Sequence, residues 1–443
     1  MRVLVSFVGK RDPWAEDNTE GPILTLARCL QPDWVVLFPT ARIPGAEEEE
    51  TETHASLVVE CLTKEEICSQ ERCYVLPIPL SDPRDYAKIL DFINRNLPEA
   101  LPQEGPAELL VNLSSGTPQM QISWLVAGNA GLLPGARYFE VSRPPRSGQP
   151  GAPRQRVKEM NPNFLREGMI QRQLAETVRL GLFASAAGWA KELASVATGL
   201  GRSVLAEKLG QLMQAYSAWD ALDYEAASAR LKAVRDYLAH RGVPAELGKL
   251  LDEQAAVLQK LVRQVRESPL NLMDIYHNSV RCLQRGAHAD CLARFYRLYE
   301  GSLYMRLRRC GIEPRDLGAS SCQPPAVADL LSREITSLRA AQAETLLLEV
   351  DQQAAKALRQ EVEVAHGGGV RRGTLKGLAG SLREIRHRSV VGHNMRPVSA
   401  TDAHMAVQVG ALLLEVLCGI SSPDDYPFSL KRLETVVSTL CRV

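Results

Sequence analysis

Apolar positions follow two different rhythms along the chain. Up to about residue 142, short β-branched runs (Val3 to Val8, Trp34 to Phe38, Tyr74 to Ile78, Leu109 to Leu113 and Tyr138 to Val141) alternate with longer amphipathic stretches. Runs that are apolar throughout predict strands buried on both faces, and the spacing between them leaves room for crossover helices. Those helices are expected over Pro22 to Leu30, Thr53 to Ile67, Pro83 to Leu97 and Pro118 to Leu133, with Pro22, Pro83 and Pro118 where a first turn tolerates proline. The pattern predicts an α/β domain with a parallel sheet.

The second rhythm is helical. Trp219 to His240, Pro244 to Glu267, Ala289 to Arg309 and Ala340 to Val364 carry apolar residues at three- and four-residue spacing among Ala, Glu, Arg and Gln. Between the two halves, residues 143–158 begin with Pro, Gly and Arg in no periodic order and read as a basic linker. The expected division is therefore a Rossmann-like domain over 1–142, a linker over 143–158, a helical connecting region over 159–320 and a second helical domain over 321–443.

Composition narrows the class. The 443 residues are 45% hydrophobic and 23% charged, as in soluble globular chains, so disorder and collagen-like repeats are excluded. Lys plus Arg equals Asp plus Glu at 52 each, which excludes a uniformly basic coat for nucleic acid and leaves local patches open. The opening apolar run is too short for a signal peptide, and no unbroken apolar stretch is long enough to span a bilayer, so a cytoplasmic protein without a membrane partner is expected. The ten cysteines form no C-x-x-C pair. Cys282, His288, Asp290 and Cys291 offer ligand types without paired spacing, and no metal or cofactor is expected there.

In an open parallel sheet, ligands collect beyond the carboxyl ends of the strands where strand order reverses, which singles out the loops after strands one and four. The first reads Val8-Gly9-Lys10-Arg11-Asp12-Pro13-Trp14 and the second Asn112-Leu113-Ser114-Ser115-Gly116-Thr117-Pro118-Gln119-Met120. The second places hydroxyls, a glycine and free N–H groups at a positive helix end, the outline of a phosphate cradle, with Lys10 and Arg11 as countercharge. The same residues are favoured as an N-cap and turn without any ligand. Neither G-x-G-x-x-G nor a Walker lysine is present, which disfavours dinucleotides and ATP hydrolysis.

VSFVGKRDP, NLSSGTPQMQ and WLVAGNAGLLPGARYFEV resemble the CARF domains of type III CRISPR ancillary proteins, over residues 1 to about 142. The resemblance implies a Rossmann-like dimer that binds cyclic oligoadenylate, with cyclic tetra-adenylate the expected ring. Carried over by position, it implicates Gly9, Lys10, Arg11, Ser114, Ser115, Gly116, Thr117 and Met120 in ligand binding. Lys10, Trp14 and Ser115 are also placed where the domain could degrade its own ligand.

RNA cleavage without a metal needs a proton-transfer group and a cation on the phosphate, roles that suit histidine and arginine. Four pairs have a matching spacing: Arg235 with His240, Arg281 with His288, Arg359 with His366, and Arg386 or Arg388 with His393. Spacing does not choose among them, but the last lies in a cluster of three arginines and two histidines from Arg383 to His393, on a stretch that reads as helical. Arg235 and His240 read as the basic end of an amphipathic helix, and Arg359 and His366 as a helix running into the glycines at 367–369. Phe295, Tyr296, Tyr299 and Tyr304 have the spacing of a packed helix face.

LREIRHRSVVGHNMRPVS is similar to the catalytic helix of HEPN ribonucleases, in particular those fused behind CARF domains. That implies His393 with Arg386 or Arg388 as the catalytic set, completed across a homodimer, on a single-stranded RNA substrate. The implied activity is a cyclic-oligoadenylate-activated, metal-independent endoribonuclease leaving 2′,3′-cyclic phosphate ends. The competing reading is a non-catalytic sensor whose helical part dimerises or binds a protein.

Overall fold

Alternation along the first strand settles the layering of the N-terminal part. Val3, Val5 and Phe7 pack against one set of helices while Leu4 packs against the other, all fully buried. The structure is a computed structural model that describes the chain except residues 43–49, 80–81, 83, 103–107, 144–152, 162–163, 198–199, 241–244, 265, 421–424 and 441–443. Its elements begin β1 (Arg2–Phe7), α1 (Pro22–Leu30), β2 (Trp34–Phe38), α2 (Glu52–Lys64), β3 (Cys73–Val75), α3 (Tyr86–Ala100), β4 (Glu108–Asn112), α4 (Pro118–Asn129), β5 (Arg137–Val141), α5 (Pro153–Arg156) and β6 (Val157–Met160).

The sheet runs β3-β2-β1-β4-β5-β6, parallel through β5, so strand order reverses between β1 and β4. Helices α3 and α4 cover one face through Ile89, Ile93, Met120 and Trp124, and α1 and α2 the other through Leu24, Ala55, Val58 and Leu62. Trp124 lies 4.8 Å from Phe7 between ring centroids. The α/β, Rossmann-like expectation is met.

Two details differ from the sequence reading. β6 pairs antiparallel with β5, so the sheet reaches past residue 142, and the first compact unit is Met1–Met169 with Val196–Thr198. Much of the expected linker, 144–152, lies outside the described residues, as does Pro83.

The second unit comprises Ile170–Ser195 and Gly199–Val443. Most of α6 (Phe164–Arg179) and α7 (Phe183–Val196) is followed by α8 (Leu200–Asp220), α9 (Tyr224–Ala239), α10 (Ala245–Arg263), α11 (Pro269–Gln284) and α12 (His288–Arg309). Then come α13 (Pro325–Ser332), α14 (Ala340–Val350), α15 (Gln352–Leu358), β7 (Glu361–His366), β8 (Gly369–Thr374), α16 (Leu375–His387), α17 (Ala400–Leu413) and α18 (Leu430–Leu440). One apolar core joins residues of α11 and α12 to α14, α16 and α17, crossing the boundary expected near residue 320. Ala400–Cys418 is long and apolar enough to cross a membrane, and half of it is buried in this unit.

The long helix expected over Ala340 to Val364 is instead two helices and a strand. Glu361 to His366 alternates polar and apolar residues, and the glycines that follow form the tight turn of an antiparallel hairpin, β7 with β8. Arg359 caps the end of α15 as a helix-end residue, but His366 ends β7, so the histidine does not lie at a helix end.

Candidate functional site

Two clusters, one in each unit, gather the residues singled out by the sequence. In the first, β1 and β4 end side by side, and the loops leaving them close a cavity of about 270 Å³ at the point where strand order reverses. All eight residues expected from the resemblance line it: Gly9, Lys10 and Arg11 from the first loop, and Ser114, Ser115, Gly116, Thr117 and Met120 from the second.

The second loop is held from beneath by Asn112, which is fully buried. Its side-chain N–H groups donate to Ser6 Oγ at 2.8 Å and Ser115 Oγ at 2.9 Å, and its oxygen accepts from the Ser114 N–H at 2.8 Å. Ser115, almost completely buried, bonds onward to the Asp12 carboxyl, so its hydroxyl is committed to the fold. Thr117 caps α4 by accepting from the Met120 N–H at 3.2 Å.

Gly116 sits at φ +85°, and a Cβ there would meet Phe7 Cβ at 2.9 Å and Met120 Sδ at 3.0 Å. A Cβ on Gly9 would in turn lie 2.9 Å from the Gly116 nitrogen, so the two loops abut backbone to backbone. The cavity thus presents main chain and hydroxyls to a ligand.

Sequence reasoning missed Asp12, Thr40 and Thr51, which also line the cavity, and Asn112, which builds it. Asp12 is fully buried and accepts from the N–H groups of Gly9 and Ile23, both at 3.1 Å. The second bond satisfies the start of α1, where Gly21 has no side chain to cap it. Burial pushes the Asp12 carboxyl up to about 6, against these hydrogen bonds and the nearby Arg11. An acid directly after the basic pair Lys10-Arg11 was the available signal.

The second cluster lies at the end of α16. Leu375, Leu378, Ala379 and Leu382 bury one face of this helix, which leaves Arg383, Arg386 and His387 at the margin of the core. The sequence reading carried the helix through His393, and the structure corrects it: α16 stops at His387 and the chain folds back. The His393 N–H donates to the His387 carbonyl at 3.1 Å, and the Arg396 N–H to the Arg388 carbonyl at 3.0 Å. Ser389 is buried and donates to the Arg386 carbonyl at 2.8 Å. Gly392 makes the close return possible, since a Cβ there would lie 2.3 Å from the Arg386 carbonyl oxygen.

The fold-back sets the His387 and His393 rings 6.1 Å apart and nearly parallel. Arg386 lays its guanidinium 4.7 Å from the centroid of Tyr296 on α12, and its buried Nε has no hydrogen-bond partner among the described residues. The Tyr296 ring also meets His387 edge-on at 6.4 Å. Arg388 is exposed and pairs with Glu384 one turn back at 2.8 Å, a surface interaction of little weight. Of the aromatic series, Phe295, Tyr299 and Tyr304 are core residues as expected, while Tyr296 faces this cluster.

The other arginine and histidine pairs are tied elsewhere. Arg235 pairs with Asp236 and Asp252, and the His240 ring bonds the Asp236 carbonyl at the end of α9. Arg281 is fully buried on Asp220. Cys282 and Cys291 are buried with Ala403, burial pushes the Cys291 thiol up to about 12, and no group of three metal-ligating side chains occurs among the described residues.

No family model matches the chain. A curated relative, the CRISPR system endoribonuclease Csm6 of Enterococcus italicus, is 32% identical over 123 residues. That match spans 27% of this chain and 27% of the relative's length. A solved structure of E. italicus Csm6 bound to cyclic hexa-2′-fluoro-hexa-dAMP superposes with a TM-score of 0.64 at 16% identity, covering 100% of this chain and 99% of that one. The chain has the Csm6 fold. Both comparisons agree with the CARF and HEPN resemblance read from the sequence.

Proposed function

We propose that the chain is an endoribonuclease of CRISPR antiviral defence, switched on by a cyclic oligoadenylate in the N-terminal cavity and cutting single-stranded RNA at the Arg386 and His393 cluster. The observation that carries this reading is the convergence of the expected loop residues on one cavity at the switch point, in a chain with the Csm6 fold throughout. Gly116 lets a phosphate approach the main chain, the start of α4 favours its charge, and Lys10 and Arg11 answer it from the facing loop.

At the second cluster, His393 is exposed and carries the proton between the RNA 2′-hydroxyl and the leaving 5′-oxygen. Arg386 holds the phosphate as its charge grows, because Tyr296 fixes its plane and its Nε is uncommitted, whereas Arg388 is already paired at the surface. Imidazole and guanidinium supply both functions, so the reaction proceeds without a metal and leaves a 2′,3′-cyclic phosphate and a 5′-hydroxyl. In this reading the protein is a cytoplasmic homodimer whose HEPN helices pair to form one RNA groove.

The test is incubation of purified protein with labelled single-stranded RNA in EDTA, with and without cyclic tetra- or hexa-adenylate, followed by analysis of the product ends. Ring-dependent products with cyclic phosphate ends are expected. Ring binding without cleavage would replace this reading with that of a non-catalytic sensor.

A further inference from the structure

Beside the first cavity lies a second, of about 460 Å³, which shares Lys10, Arg11 and Pro22 with it and is closed by Val141, Ser142 and Arg143 where β5 ends and by Arg156 at the end of α5. Four cationic residues line it, Lys10, Arg11, Arg143 and Arg156, and so do Glu16, Asp17 and Glu20. Two of the three acids are already engaged. Glu20 accepts from Thr25 at 2.7 Å and pairs with Arg28, and Asp17 accepts from the Thr19 hydroxyl at 2.6 Å.

The arginines are held differently. Arg156 donates from Nε to the Ser142 carbonyl at 3.0 Å and from Nη2 to the Glu20 carbonyl at 3.1 Å. Arg11 donates to the Ser114 carbonyl at 3.4 Å. Carbonyls orient a guanidinium without cancelling its charge, so two positive charges face one cavity, Arg11 from the loop after β1 with Asp17 nearby and Arg156 from the end of α5. Burial lowers the pKa of Arg156, and the approach of Arg11 lowers it further, the sign of two like charges brought together. Such an arrangement costs free energy unless an anion joins it, and a planar fork suits two phosphate oxygens.

We propose that Arg11 and Arg156 form a second phosphate subsite, which takes the phosphodiester of a nucleotide adjoining the one seated over Gly116. This rests on the cyclic-oligoadenylate reading above and extends it: the ligand is gripped at two successive phosphates in each subunit, one by main chain and hydroxyls and one by two arginines. Arg11 lines both cavities and bridges the two phosphates, and Arg156 belongs to the second alone.

The experiment is calorimetric titration of the full-length protein and its Arg156→Gln and Arg156→Lys variants with cyclic tetra- and hexa-adenylate, with thermal melting of each protein alongside. For whichever ring the wild type binds, Arg156→Gln should weaken affinity about tenfold or more, in line with losing a charge-assisted contact. Arg156→Lys should stay within severalfold of wild type, and both melting temperatures should match it. Wild-type affinity in both variants overturns the subsite. So does an equal loss in both with lowered melting temperature, which would make Arg156 a structural staple. Failure of the wild type to bind either ring removes the oligoadenylate reading itself, a result distinct from the other two.

Discussion

Asp12 puts a carboxyl among groups otherwise suited to an anion, and its titration decides how much that costs. With its pKa raised to about 6 by burial, the carboxyl is neutral below that pH and charged above it. A phosphate ligand should therefore bind severalfold more tightly at pH 5 than at pH 7.5. Arg11 and the His54 ring, which bonds the Asp12 carbonyl, face the same group, so the decisive comparison is Asp12→Asn. In that variant the part of the slope due to Asp12 should vanish; an unchanged pH profile by calorimetry contradicts the role given to this carboxyl. The linkage to stability has the same sign: the raised pKa gives stability that is full below about 3.8 and lost as pH rises through about 6. Gly116 is less tractable as a probe than its sequence context suggests. Any side chain there meets Phe7 and Met120 at positive φ, so Gly116→Ala should lower thermal stability by about 1–3 kcal/mol as well as ligand affinity. Lys10→Ala is the cleaner substitution, expected to weaken ring binding at constant melting temperature. Among the arginines, Arg386→Ala should slow RNA cleavage by about a hundredfold or more and Arg388→Ala by only a few-fold, in single-turnover assays. Equal losses would refute the assignment that Tyr296 and the free Nε support. Arg235→Ala and His240→Ala serve as controls and should leave the rate near wild type.

At the scale of elements, β1, β2 and β4 were legible because each has an apolar, largely β-branched centre, and their loops because N-caps, prolines and glycine mark where α4 begins. The hairpin of β7 and β8 was not, since three glycines read equally as the end of a helix or as a tight turn, and only Val362 and Val364 betray the alternation. β6 was hidden for a similar reason: four residues after a Pro and Gly-rich stretch carry no periodicity of their own, and their partner β5 decides their state. The end of α16 shows the same limit. The seven-residue step from Arg386 to His393 suits a helix, yet residues 388–393 hold Ser, two Val and Gly, all poor helix formers, and Ser389 and Gly392 turn the chain back against the Arg386 and His387 carbonyls. The candidate residues were thus found while their geometry was not: His393 reaches the cluster by a fold-back rather than by two helical turns. Gly392→Ala should consequently displace this loop and abolish cleavage while ring affinity stays at the wild-type value. Retained cleavage in that variant would show that the fold-back does not position His393.

At the scale of the molecule, the chain joins an α/β unit to a helical unit with a separate core, so the proposed ring binding and RNA cleavage should be removable one at a time. In the proposed function, occupancy of the first controls RNA cleavage in the second. The most direct measurement is the initial rate of single-stranded RNA cleavage in EDTA as cyclic oligoadenylate is titrated, for wild type, Lys10→Ala and His393→Ala. A saturable rise in rate is expected for wild type, and the same rise at higher ring concentration for Lys10→Ala. For His393→Ala the rate should be lower by about a hundredfold to ten-thousandfold at every ring concentration, with calorimetric ring affinity unchanged. A wild-type rate that is independent of the ring, or full cleavage by His393→Ala, would contradict the proposed function.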